Sequence, residues 1–185
     1  MSGEVYNGVK FRTIFISRKP PQDPRLDELA GWTHRLAGLG VLATAMGNLS
    51  IRTPSGLIIT PTGTDPATLT PEQFVEVLTV NMATRAITAR GCAEPSSESM
   101  MHAAIYGARP DVKAIFHGHD ARVLAATGLP VTAKEQPYGT PALVEAVLTM
   151  AGKHDLFVMR NHGFVSVASS MELAGRRIEE LLQKL

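Results

Sequence analysis

The residues best suited to chemistry lie in one stretch, Glu94 to Asp120. Within it, the apolar run Val112–Phe116 is short, rich in branched and aromatic side chains, and follows a Pro turn, which predicts a strand leading into His117-Gly118-His119. Side chains two positions apart on a strand share a face, so His117 and His119 can direct two imidazoles at one point, as a metal ion requires. Taken alone, the pair is more typical of two histidines at a strand end than of a metal site.

The same stretch holds Pro95-Ser96-Ser97-Glu98, followed by a predicted helix over Ser99–Ala108. Hydroxyl groups and free backbone N–H groups at a helix start suit an anion, which makes Ser96 and Ser97 candidates for binding one. Glu98 is either a carboxylate that carries a proton in a reaction or a solvated residue favoured by the positive helix end.

Two other short segments, Gly47-Asn48 and Thr62-Gly63, are small, polar and close to predicted strand ends. Backbone N–H groups beside glycine can approach a phosphate closely, and Asn and Thr add side-chain donors. Each segment taken alone is more typical of a turn than of a binding site.

The elements that must position these residues alternate between hairpin-like strand pairs and amphipathic helices. Strands are predicted at Val9–Ser17, Gly47–Arg52, Leu57–Thr60, Val75–Thr79, Arg85–Ala89, Leu156–Met159 and Phe164–Val167, with strand and loop over Leu129–Tyr138. Helices are predicted from Asp23 to Gly38, over Ala121–Thr127, from Pro141 to Ala151 and toward Leu185. We therefore expect a three-layer α/β/α fold with a central, largely antiparallel sheet.

Length and composition favour one soluble domain over residues 1–185. The net charge is +1, with 18 basic and 17 acidic residues and no basic run, so neither nucleic acid nor a membrane surface is an expected partner. Cys92 is the only cysteine, which suits a reducing compartment, and the first residues lack the pattern of a secretory signal. We expect a cytoplasmic protein.

Five motifs, in this order, resemble the class II aldolase/adducin family, most closely its sugar-phosphate aldolases of the fuculose-1-phosphate type. The matching segments are Gly47-Asn48-Leu49-Ser50, Ile59-Thr60-Pro61-Thr62-Gly63, Pro95-Ser96-Ser97-Glu98, His117-Gly118-His119 and Asn161-His162-Gly163. The likeness covers roughly Arg25 to Leu185. Each motif alone is unspecific, and the combination is highly specific.

The resemblance implies a zinc ion, or another divalent metal, held by His117, His119 and His162. Three protein ligands leave one position open for substrate, which agrees with the chemistry of a catalytic zinc site. By the same resemblance Glu98 is the acid/base, and one phosphate is held by Gly47, Asn48, Thr62, Gly63, Ser96 and Ser97. The implied reaction cleaves a ketose 1-phosphate into dihydroxyacetone phosphate and an aldehyde, in a homo-oligomer that by analogy is a tetramer.

Three alternatives share the scaffold. The pentulose-phosphate 4-epimerases tend to carry Asp where Glu98 stands, and the methylthioribulose-phosphate dehydratases tend to carry Ser-Ala-Glu in place of Ser96-Ser97-Glu98. Both differences favour the aldolase. The third alternative is a non-catalytic, adducin-like interaction domain, and the intact histidines and glutamate argue against it.

The chain also departs from the fuculose-type pattern. Its N-terminal segment is longer, and its C-terminus follows directly on the last helix, where those enzymes carry a further tail. They also borrow a tyrosine from a neighbouring subunit, at a position that aligns with Lys134, with Tyr138 nearby. The remaining histidines, His34, His102 and His154, are interpreted as helix-surface or loop residues. His102 lies four residues after Glu98 and could face it on one helix, which favours a structural contact over a role in chemistry.

Overall fold

The computed structural model describes residues 8–44 and 46–185, which form an eight-stranded sheet in the order β1-β5-β4-β3-β2-β6-β8-β7. Neighbouring strands are antiparallel except β1 and β5, which confirms the predicted largely antiparallel sheet. The strands are β1 Arg12–Ser17, β2 Asn48–Thr53, β3 Gly56–Ile59, β4 Val75–Asn81, β5 Ala86–Arg90, β6 Ala114–Gly118, β7 Leu156–Met159 and β8 Gly163–Ala168.

Helices cover both faces of this sheet, as the α/β/α prediction requires. In the described ranges they are α1 Leu26–Gly38, α2 Ser99–Ala108, α3 Ala121–Ala125, α4 Pro141–Ala151 and α5 Met171–Gln183, with a short 3-10 helix at Pro71–Gln73. Helices α1 and α5 contribute to one core, whereas α2 and α4 contribute to the other. Strand β6 shows the alternation directly, since Phe116 packs in the α1/α5 core and Ile115 in the α2/α4 core.

Local sequence explains several element ends. Helix α4 begins where Thr140 Oγ1 accepts a hydrogen bond from the Leu143 N–H at 3.2 Å, with proline in the first turn. Helix α1 begins at Leu26, later than the predicted start at Asp23. Asp23 instead accepts hydrogen bonds from the backbone and side chain of Arg25, which holds it in the preceding turn.

Two predicted strands are shorter than expected. Strand β1 begins at Arg12 and not at Val9. The segment from Leu129 to Tyr138 forms only an isolated parallel bridge between Val131 and Val158. Pro130 accepts from the Val158 N–H at 2.8 Å but has no N–H of its own to donate, which limits the pairing at this edge.

The first seven residues, for which the sequence predicts no secretory signal, lie outside the described ranges. Among the helices of residues 8–44 and 46–185, none is long and apolar enough to cross a bilayer.

Candidate active site

Two adjacent strands bring the three predicted metal ligands together. His117 lies near the end of β6, His119 follows directly, and His162 lies in the turn between β7 and β8. Strands β6 and β8 are antiparallel neighbours, with His117 opposite Val165. Donor atoms of the three histidines lie within 4.8 Å of one another, and Nε2 of His117 is 2.9 Å from Nε2 of His119. These side chains therefore form a group that could hold a metal ion.

The turn that carries His162 depends on two unusual backbone positions. Asn161 has a φ of 56°, a left-handed conformation that asparagine tolerates better than most residues. A Cβ at Gly163 would lie 2.6 Å from the ring carbon Cε1 of His117, so only glycine leaves room for that imidazole. The Asn161-His162-Gly163 motif is thus explained by backbone geometry as well as by the histidine it contains.

The protonation of the histidines suits metal binding. His117 is fully buried, and its Nδ1 lies 2.9 Å from the carbonyl oxygen of Phe164. Because a carbonyl only accepts, Nδ1 carries the proton and Nε2 presents its lone pair to the cluster. Burial, together with the neighbouring His117 and His162, lowers the pKa of His119 to about 3, so this ring is neutral at physiological pH. Neutral imidazole is the form that ligates zinc.

Glu98 lies directly against the histidine cluster. Glu98 immediately precedes α2, and only 4% of its surface is exposed. Its Oε2 lies 3.0 Å from His117 Nε2, and its Oε1 lies 3.2 Å from His162 Nε2. Burial raises the pKa of this carboxyl, but His117 and His162, when their rings are protonated, lower it by more, to well below its usual value. Glu98 is therefore a carboxylate at neutral pH and can accept a proton.

A cavity of about 190 Å³ opens beside this cluster. Every residue that the sequence predicts for the site, except the buried His117, contributes to its wall: Gly47, Asn48, Thr62, Gly63, Ser96, Ser97, Glu98, His119 and His162. Among the described residues that line it, none is a lysine or arginine. Apart from the histidines, its donors are neutral hydroxyl, amide and backbone N–H groups.

Hydrogen bonds hold the loops of the cavity in place. Ser96 N–H donates to the Thr60 carbonyl at 3.1 Å, and Ser96 Oγ accepts from the Glu98 N–H at 3.3 Å. Asn48 Nδ2 donates to Glu98 Oε2 at 2.9 Å. Asn48, predicted for phosphate, thus also contacts the predicted acid/base, with a second N–H on the same nitrogen for another acceptor.

Gly47 is required for a reason that the sequence does not reveal. Its φ is +78°, and a Cβ there would lie 2.8 Å from the backbone oxygen of His117. The close approach is therefore to strand β6. Gly63 also has a positive φ, of +70°, but faces open space.

The cavity wall also contains residues outside the predicted site. Tyr138 of the same chain lines the cavity and donates to the Gly8 carbonyl at 3.2 Å, whereas Lys134 is exposed and does not line it. The apolar side chains of Leu42, Met46 and Leu69 also line it. An isolated Leu or Met in a loop gives no sequence signal for such a position.

The interpretation of His102 as a surface residue is wrong. Its side chain is fully buried, and Nδ1 lies 2.7 Å from the hydroxyl of Ser50, which is also fully buried. Burial lowers the pKa of His102 to about 3. The spacing of four residues between Glu98 and His102 indicated that His102 is buried, since both side chains then lie on the same side of α2.

Comparison with known proteins places this site in a family. The class II aldolase and adducin N-terminal domain matches residues 27–184, so the chain belongs to this family, as the motifs predicted. A 5-methylthioribulose-1-phosphate/5-deoxyribulose-1-phosphate aldolase of Rhodospirillum rubrum is 29% identical over 167 residues, covering 79% of this chain and 73% of the relative.

Two further relatives show the range of the likeness. A methylthioribulose-1-phosphate dehydratase of Yersinia enterocolitica is 25% identical over 193 residues, covering 86% of this chain and 89% of that protein. The crystal structure of an L-fuculose-1-phosphate aldolase from Thermus thermophilus superposes with a TM-score of 0.63 at 25% identity, covering 85% and 86% of the two chains. Aldolase and dehydratase are thus both represented among proteins similar to this chain.

Proposed function

We propose that the protein is a zinc-dependent aldolase that cleaves a ketose 1-phosphate to dihydroxyacetone phosphate and an aldehyde. The observation that carries this proposal is the position of Glu98, whose carboxylate oxygens lie 3.0 and 3.2 Å from two histidines of a potential metal centre. A base beside a metal is the arrangement needed to move a proton at the carbon next to a carbonyl.

The donor set fits a divalent metal. His117, His119 and His162 would supply three neutral nitrogen ligands, with the hydrogen bond from His117 Nδ1 to Phe164 orienting one of them. The chemistry that zinc supplies in such a site is Lewis-acid stabilisation of negative charge on a carbonyl oxygen. Glu98 itself would lie close enough to approach the ion when no substrate is present.

The chain's own residues account for the other steps. Asn48, Thr62, Gly63, Ser96 and Ser97 would bind the phosphate through neutral donors and orient the ketose. Bond cleavage removes a proton from the hydroxyl on the far carbon, converts that carbon to an aldehyde, and leaves the bonding electron pair on the carbon next to the carbonyl. The Glu98 carboxylate would take up the proton that the hydroxyl releases and return it to that carbon, so that one proton is lost and one is gained.

The decisive experiment needs no knowledge of the aldehyde. Incubated in deuterated water, the zinc-loaded protein should exchange the transferable C–H proton of dihydroxyacetone phosphate for deuterium, because this exchange needs only the base and the metal. Glu98→Gln keeps the size of the side chain and removes the base, so we expect an exchange rate about 10²–10⁴-fold lower with zinc content and ligand binding retained. Equal rates for the two proteins would assign the base to another residue, with Tyr138 the first candidate.

The dehydratase is the second candidate, because one relative bears that name and matches most of this chain. The two activities differ in their products. An aldolase releases dihydroxyacetone phosphate from 5-deoxyribulose 1-phosphate or its methylthio analogue, whereas a dehydratase removes water and keeps the carbon chain intact. Mass spectrometry of the products separates them, and absence of exchange in the wild-type protein would favour the dehydratase or the interaction domain.

A further inference from the structure

Strand β2 and helix α2 meet through three polar pairs, which we call the β2–α2 ladder. Alternate residues of β2 face α2, and residues four apart on α2 face β2. The pairs are Asn48 with Glu98, Ser50 with His102, and Arg52 with Tyr106. The catalytic glutamate proposed above is thus the end member of a buried series that continues away from the cavity.

The second pair is the most enclosed. Ser50 and His102 are both fully buried and are not among the described residues that line the cavity. Ser50 Oγ lies 2.7 Å from His102 Nδ1 and 2.9 Å from the hydroxyl of Tyr106, which also donates to the Ser50 carbonyl at 3.0 Å. One serine hydroxyl therefore joins the second pair to the third.

The third pair fixes the far end of the helix. The guanidinium of Arg52 lies 4.8 Å from the ring centroid of Tyr106 and donates to the carbonyls of Tyr106 and Arg109, while its Nε donates to Val112 at 2.8 Å. The carbonyls of Tyr106 and Arg109 lie at the C-terminal end of α2, where backbone carbonyls lack helical partners, and Val112 lies in the segment between α2 and β6.

The spacing of the pairs follows from backbone geometry. Two residues of a strand advance by about 6.6 Å, and four residues of an α-helix advance by about 6.0 Å. Because these two distances are similar, successive residues on one face of β2 stay opposite successive residues on one face of α2 over three pairs. A slip of the helix by one residue would move it by about 1.5 Å and turn its side chains by about 100°, which would separate every pair.

We propose that Ser50 and His102 are positioning residues that hold the Glu98 carboxylate between His117 and His162 by fixing α2 in register on β2. Neither side chain lines the cavity, so neither contacts the substrate. The catalytic consequence rests on the proposed function, whereas the effect on the position of the carboxylate does not.

The first test compares two serine-to-alanine substitutions. Ser50→Ala removes the junction of the ladder. Ser166→Ala removes an equally buried hydroxyl, which donates to the Ala174 carbonyl at 3.0 Å on the opposite, α1/α5 side of the sheet. We expect Ser50→Ala to lower the deuterium exchange rate at saturating dihydroxyacetone phosphate by on the order of 10–100-fold, with little change in affinity. Ser166→Ala should exchange at the wild-type rate even if both variants lose similar thermal stability.

A second pair of variants keeps the test valid if Ser50→Ala does not fold. The amide of asparagine can take the place of His102 Nδ1, whereas leucine cannot. His102→Asn should therefore retain most of the exchange rate, and His102→Leu should lose it. A purely packing role would give the opposite order, because leucine fills an apolar site better.

The visible spectrum of the cobalt-loaded protein provides a measurement that does not depend on activity. Its absorption bands respond to the number and geometry of ligands, including an approach of Glu98 to the metal. We expect Ser50→Ala and His102→Leu to shift the spectrum and Ser166→Ala to leave it unchanged. Wild-type spectra and wild-type exchange in both ladder variants would overturn the positioning role. Should the wild-type protein show no exchange, the proposed function fails, and the cobalt spectra alone decide whether the ladder positions Glu98.

Discussion

The cavity has two walls that are built in different ways. The histidine wall consists of His119, His162 and Glu98, with the buried His117 directly behind them. The three histidines lie on or beside the paired strands β6 and β8. The loop wall consists of Gly47, Asn48, Thr62, Gly63, Ser96 and Ser97, which lie where β2 and α2 begin and where β3 has ended. Paired strands fix the first wall, and a few hydrogen bonds between loops fix the second.

The walls also differ in charge. The histidine wall holds ionisable groups, whereas the loop wall offers only neutral donors, and no lysine or arginine is among the described residues that line the cavity. A phosphate at the loop wall would therefore be recognised by hydrogen bonds and by the start of α2. Substitutions in the histidine wall should act on metal binding and proton transfer, and those in the loop wall on affinity for the anion.

The largest effect is expected from His119→Ala, which removes one of three proposed ligands. Metal affinity should fall by more than the roughly 10–100-fold that loss of an outer-shell partner costs. Elemental analysis after dialysis against a weak chelator measures the retained metal, with His154→Ala, outside the cluster, as the control. One retained metal ion per His119→Ala chain would contradict the assignment.

Gly47→Ala should have the next largest effect, because Gly47 touches both walls. The new Cβ would lie 2.8 Å from the His117 carbonyl oxygen, in backbone with a φ of +78°. We expect the free energy of unfolding to fall by about 1–3 kcal/mol beyond the cost of the backbone conformation. Gly63→Ala is the matched control, since its φ is +70° but its Cβ would meet no atom within 4 Å. Urea unfolding compares the two, and equal losses would mean that the contact with His117 is unimportant.

Asn48→Ala acts on the loop wall. Loss of a hydrogen bond to a charged group costs about 1.5–3 kcal/mol, so the Kd for dihydroxyacetone phosphate should rise by roughly 10–100-fold. Titration calorimetry measures this in zinc-loaded protein, with metal content as the control for the other wall. If the affinity for dihydroxyacetone phosphate is unchanged, Asn48 contacts Glu98 but does not bind the phosphate.

Ser97→Ala should give the smallest effect. A neutral hydroxyl contributes about 0.5–1.5 kcal/mol, which corresponds to a loss of affinity of roughly 2–10-fold. The same titration measures it, and the rate of deuterium exchange at saturating ligand should stay at the wild-type value. A fall in that rate would show that Ser97 also influences proton transfer.

The sequence by itself determined the local parts of this protein. Helix α2 spans the predicted Ser99–Ala108, and the strand before His117 was expected from its apolar run. Both predictions succeeded because each depends only on residues that are neighbours in the sequence. The alternation of a strand directs His117 toward one face, and the start of α2 places Glu98 immediately before the helix. The family also followed from the sequence, because five short motifs in fixed order are specific when combined.

Only the tertiary structure decided how distant elements meet. Pairing of β6 with β8 brings His162 to His117, and this depends on strands separated by more than one helix in the chain. The burial of His102, the need for glycine at position 47, and the place of Tyr138 on the cavity wall have the same origin. Each of these results from packing between segments that are far apart in the sequence. The local sequence pattern does not determine which of these segments come into contact.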